Sequence, residues 1–190
     1  PGVGADQHEP GDAFRPVEGQ LLGHHAAEER AQHVGALDRE MVEQARWVSF
    51  RPWPLAVLGE ARLRQRQDPS ALRSDLEDAF ALSCQLGDPC WEGAVGRALA
   101  LTYAAAGETE RAMHWLAEAR VRSMRETDVF VGLLVQILAD MAEISLGAGR
   151  IEQAGGLARE TLAKAARAHM DNHVRRAGQL IEACNERTGT

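Results

Sequence analysis

Apolar residues return every three or four positions through most of this chain, in bursts separated by glycine, proline and aspartate. From Trp91 to Met124 two such bursts stand back to back. In the first, Trp91, Ala94, Val95, Ala98, Leu101, Thr102 and Ala105 share one helical face; in the second, Ala112, Trp115, Leu116 and Ala119 follow the same rule. Gly107 lies between them and reads as the tight turn of a helical hairpin. Neither helix could bury its stripe alone, so the pattern demands further pairs stacked on each side.

The rest of the chain supplies them. Residues 1–20, rich in Gly, Pro and acid and without any period, read as an irregular lead-in or linker, and residues 21–190 as one helical repeat domain. A helix is expected from about His25 to Arg46, broken by the prolines of the segment from Trp47 to Pro54, and another from about Leu55 to Arg66. Asp68-Pro69 and Asp88-Pro89 each pair a capping carboxylate with a proline at the first helical position, and the helix between them should run from Ala71 to Leu86. Glu126-Thr127-Asp128 is expected to open a helix reaching Leu146 that is apolar nearly all round, and so sandwiched between neighbours. Helices from Ile151 to Ala168 and from Asp171 to about Glu186 complete the chain. No segment shows the period-2 alternation of a strand.

Second helices match one another directly. Leu76-Glu77-Asp78-Ala79 corresponds to Leu116-Ala117-Glu118-Ala119 at an offset of 40 residues, and the turn glycines Gly107 and Gly149 lie 42 apart, each followed five residues later by alanine (Ala112, Ala154). A period near 40 in helix pairs is the mark of an α-solenoid. Small residues at the recurring position let the two helices of a hairpin approach closely.

The residues Leu99-Ala100, Tyr103, Gly107, Ala112, Leu116 and Ala119 resemble the core of a tetratricopeptide repeat in order and spacing. The following unit keeps Ala142 and Ala154 but has Ser145 where the tyrosine would stand, and the preceding unit fits mainly in its second helix. The proline expected after the second helix is replaced by Met124, and the period exceeds the usual 34 or so. Longer units of this kind, punctuated as at Leu86-Gly87-Asp88, are similar to the helical-repeat regions of large bacterial regulators of the LuxR type and of maltose-regulator relatives. The resemblance implies an all-α solenoid of antiparallel helix pairs whose first helices line a concave, ligand-holding groove. Carried over position by position, it places Arg64, Arg97, Leu101, Gln136 and Glu143 in that groove. Asp140 shares one stripe with Gln136 and Glu143 on an otherwise greasy helix, where buried polar groups would be costly without partners. Apolar contact at Leu101, with Arg97, Gln136 and Glu143 orienting the ligand, is the expected mode. Reversing the charge of Arg97 together with Glu143 would then weaken binding without lowering the melting temperature.

Composition narrows the function class. The chain has 190 residues, 45% of them apolar and 26% charged, with a formal net charge of −7, which excludes the basic footprint of a nucleic-acid-binding domain. Lys164 is the sole lysine, the codon bias expected of a GC-rich bacterial source. Three cysteines without C-x-x-C spacing fit a reducing cytoplasm. The longest apolar run, Val129 to Val135, is too short to span a bilayer, and no signal peptide is visible. A start at Pro1 rather than methionine reads as a piece excised from a longer protein.

Candidate chemistry is sparse. Phosphate-binding loops, G-x-S-x-G and H-E-x-x-H are absent, so no catalytic residue, metal ligand or cofactor is expected and the chain does not read as an enzyme. His169 and His173 share a helical spacing but fall at a helix junction and lack a third ligand; His24-His25 with His33 is weaker still. Cys84 and Cys90 read as semi-buried packing residues, the arginines at 62, 64 and 66 as a solvated face, and Trp47 and Trp53 as packing at a repeat junction. The expected partner is a protein or peptide in the groove, in the sensor or scaffold part of a regulator. A small-molecule effector and self-association through end helices, as in a homodimer, are the alternatives; a broad open groove favours a peptide, a deep closed one the effector.

Overall fold

The computed structural model describes residues 51–125 and 129–189. The lead-in, the helix expected from His25 to Arg46, Trp47 and the histidines at 24, 25 and 33 lie outside the described residues. Among the described residues there are seven helices and no strand: α1 (Pro52–Arg64), α2 (Pro69–Leu86), α3 (Pro89–Ala105), α4 (Thr109–Ser123), α5 (Val131–Gly147), α6 (Ile151–Arg167) and α7 (Asp171–Thr188). The fold is an all-α solenoid. Each helix packs on the next, and α1, α3, α5 and α7, the first helices of successive pairs, also pack on one another. None of the described helices is long and apolar enough to cross a membrane.

Two helix starts carry the expected capping chemistry. Asp68 accepts from the Ser70 backbone N–H at 2.9 Å, and Asp88 from those of Cys90 and Trp91 at 2.9 and 3.1 Å. Both helices therefore begin at the proline, which for α2 is two residues ahead of the expected start. Pro52 and Pro54 lie in the first turn of α1, which starts three residues ahead of the expected Leu55, because first-turn N–H groups have no intrahelical acceptor for proline to remove; whether they end a preceding helix lies outside the described residues. α5 begins only at Val131, and residues 126–128, expected to open it, lie outside the described residues.

The hairpins close at Gly107 (φ +79°) and Gly149 (φ +76°), each in the left-handed region just past a first helix. A Cβ at either would meet no neighbour within 4 Å, so the demand is conformational, not steric. Gly107→Ala is therefore expected to cost about 1–2 kcal/mol, seen as a lower melting temperature with an unchanged far-UV spectrum; an unshifted melt would count against it.

The core forms two clusters. One gathers Leu72, Leu76 and Ala79 of α2 with Val95, Ala98 and Leu99 of α3; the other runs from Leu116 of α4 through Ile137 and Leu138 of α5 to Ala158 of α6 and Leu180 of α7. Trp115 and Leu133 pack against both. The stripe expected on α3 is only part of its buried surface: Leu99, Ala100 and Tyr103 are buried too, while Ala105 is exposed. α3 is enclosed because α1, α2, α4 and α5 all pack on it. α5 is sandwiched as its composition requires, between α4, α6, α7 and α3.

Candidate functional site

Side-by-side packing of the first helices brings charged residues of four helices to one cleft. Glu60 and Arg64 are one turn apart on α1, as are Asp140 and Glu143 on α5, while α3 contributes Arg97 and α7 Arg176. Arg97 donates through Nε to Asp140 Oδ2 at 2.5 Å and through Nη1 to Glu60 Oε1 at 2.5 Å. Arg176 donates through Nη2 to Asp140 Oδ1 and through Nε to Glu143 Oε1, both at 2.7 Å. Arg64 makes a looser contact with Glu60 at 3.7 Å. Signs thus alternate from helix to helix, Glu60, Arg97, Asp140, Arg176, and Asp140 bridges two guanidinium groups.

Burial divides the set. The side chains of Arg97 and Asp140 are 6% and 4% exposed, whereas Glu143 is 48% and Arg64 81% exposed. Burial works against the charge of Arg176, but Glu143 and Asp140 outweigh it and hold its guanidinium above the usual arginine range. With Leu63 and Leu101 these residues line a cleft of about 320 Å³ that opens broadly to solvent.

Five of the sequence-predicted residues, Arg64, Arg97, Leu101, Asp140 and Glu143, line this one cleft. Gln136 lies on the same helix as the last two, half-buried and outside the lining. Glu60, Leu63 and Arg176 were not legible as site residues. The available signals were the i, i+4 spacing of Glu60 to Arg64 and the near-period spacing of 36 from Asp140 to Arg176. The structure corrects one expected consequence. Arg97 does not stand free in an open groove; it is locked between two carboxylates, so reversing its charge leaves Asp140 buried beside a like charge and must lower stability.

The other sequence candidates take bland positions. His169 is an exposed left-handed residue (φ +54°) between α6 and α7, and the described residues contain no group of three or more potential metal ligands. Cys84 is exposed rather than semi-buried, Cys90 is intermediate, and burial raises the pKa of both thiols, which disfavours the nucleophilic thiolate. Arg66, also left-handed (φ +59°), follows the end of α1, and Trp53 is 46% exposed in its first turn.

His173, at the start of α7, sits within reach of the charge ladder. Its pKa is lowered, chiefly by burial, then by Arg176 and Arg97, with Asp140 opposing. A depressed histidine pKa means the unfolded chain binds the proton more readily, so His173 stabilises fully above its unfolded pKa of about 6.5 and the contribution is lost as pH falls through the folded value. Thermal melts of His173→Gln should therefore fall less steeply below pH 6.5 or so than those of the parent; parallel curves would refute this.

No family model and no curated relative matches the chain. Solved structures do. BtubC (BKLC) from P. vanneervenii is 19% identical with a TM-score of 0.56, over 90% of this chain and 73% of that one. A Podosopora anserina putative kinesin light chain with nearly identical TPR-like repeats is 16% identical with a TM-score of 0.52, covering 88% of this chain and 89% of that one. A point-substituted form of that protein gives 0.53 at 16% identity, over 90% and 92%. The fold is thus a tetratricopeptide-like repeat stack.

Proposed function

We propose that this chain is a non-catalytic recognition module that holds a protein segment in the cleft lined by α1, α3, α5 and α7. The observation that carries the reading is the cleft itself: a broad opening on the first-helix face, floored by a satisfied charge network and edged by the solvent-exposed charges Arg64 and Glu143. Broad opening favours a peptide over an enclosed small-molecule effector. The fold shared with repeat proteins supports binding over catalysis. The finer assignment, a cytoplasmic sensor or scaffold part of a bacterial transcriptional regulator, rests on the sequence resemblance to LuxR-type and maltose-regulator-like proteins.

The test is a displayed library of random peptides panned on the purified chain, with hydrogen exchange locating the bound peptides. Protection should rise on the cleft-lining helices α1, α3, α5 and α7. No enrichment, or a footprint confined to the second helices α2, α4 and α6, would overturn the reading.

A further inference from the structure

The cleft's charges are not equally available to a ligand, and the difference specifies what the ligand carries. Neither Arg97 nor Asp140 can turn outward without leaving the other buried with only one of its two ion-pair partners. Glu60, 19% exposed, and Arg176, 29% exposed, are each tied into the same ladder. What remains is Arg64, whose side chain is 81% exposed and touches Glu60 only at 3.7 Å, and Glu143, 48% exposed, whose ion pair engages Oε1. They sit on different first helices, α1 and α5, with α3 between them presenting the half-buried Leu101, and with Leu63 beside Arg64. The cleft therefore offers one positive end, one negative end and an apolar middle. Its lining charges cancel, three arginines against three carboxylates, so no uniform field draws in a ligand of one sign.

Resting on the peptide-binding reading above, we infer that the cleft selects a mixed-charge segment: an extended stretch with an acidic side chain at Arg64, an apolar side chain on Leu63 and Leu101, and a basic side chain at Glu143. One to two interhelical spacings separate the two charges, on the order of 10–20 Å, which roughly three to six extended residues span. A wholly acidic segment meets repulsion at Glu143 and a wholly basic one at Arg64, so specificity comes as much from the mismatched end as from the matched one. The buried ladder beneath fixes the helices that carry the two ends, and the discrimination stays at the rim.

The experiment measures fluorescence anisotropy of three labelled hexapeptides sharing a leucine centre and flanked by acid and base, by two acids, or by two bases. The wild-type chain should prefer the acid–base peptide by roughly threefold to tenfold. Arg64→Glu should shift the preference to the dibasic peptide, and Glu143→Arg to the diacidic one. Both substitutions are at exposed positions, and a thermal melt confirms that each variant is folded. If none of the three peptides binds the wild-type chain, the peptide-binding reading fails and this inference with it. If the peptides bind but neither substitution changes their ranking, the inference alone fails, because the ligand is then held by other residues.

Discussion

Asp140→Ala should lower the unfolding free energy by about 3–5 kcal/mol. Asp140 is one of the most deeply buried charges in the described residues, 4% exposed at its side chain, and it is the only carboxylate there that accepts from both Arg97 and Arg176. Removing it leaves the Arg97 guanidinium, 6% exposed, with Glu60 as its remaining ion-pair partner. Taking a charge out of water is offset only by such partners, so half of that compensation disappears while the desolvation cost stays. In a chain of this size the loss corresponds to a melting temperature lower by about 6–20 °C. Arg97→Met combined with Asp140→Leu should recover much of it. The outer members keep other contacts, Glu60 with Arg64 and Arg176 with Glu143, and two apolar side chains fill the space without an orphaned charge. Urea denaturation of Arg97→Met, Asp140→Leu and the double variant tests this as a cycle. Strictly additive losses, or a single-variant effect within about 0.5 kcal/mol, would show that the ladder is not a stabilising unit.

That ladder also marks where the sequence stops being legible. The all-α class, the hairpin period, the Asp-Pro starts and the sandwiching of α5 follow from local rules: apolar spacing, caps and turn glycines act within a few residues and leave their mark in the string. Arg97 pairing with Asp140 depends on first helices of successive repeats lying side by side, a relation across 43 residues that only the stack creates. Arg97 and Asp140 are recognisable as groove positions, through the repeat resemblance and the polar stripe on α5, but their burial is not, because a charge on an apolar helix reads the same whether it faces water or a partner. Glu60 and Arg176 escape the sequence for the same reason. The proline pair at the start of α1 misleads in the opposite direction: proline forbids a helix interior yet favours a first turn, and the string alone does not say which turn is first.

Trp115→Ala is the second large effect expected, towards the lower end of the roughly 3–5 kcal/mol typical of a truncated buried aromatic, since this ring is only half-buried. Its importance lies in position. Trp115 packs against both core clusters, the one built on α2 and α3 and the one running from α4 to α7, and Leu133 is the other side chain that does so. Its ring meets Phe80 of α2 edge-on, centroids 4.9 Å apart at 87°, and the Phe80 ring in turn lies 5.2 Å from the Arg122 guanidinium. A cycle with Phe80→Leu should return a coupling of about 0.5–1.5 kcal/mol. In a repeat stack, cooperativity is carried by the interfaces between neighbouring units, so weakening the shared side chain should lower the slope of the denaturation curve as well as its midpoint. Leu116→Ala, in the second cluster but not among the residues shared by both, serves as the comparison: it should cost about 2–5 kcal/mol while leaving the slope intact. If both variants shift the midpoint and neither alters the slope, the clusters form one cooperative core and Trp115 contributes packing alone.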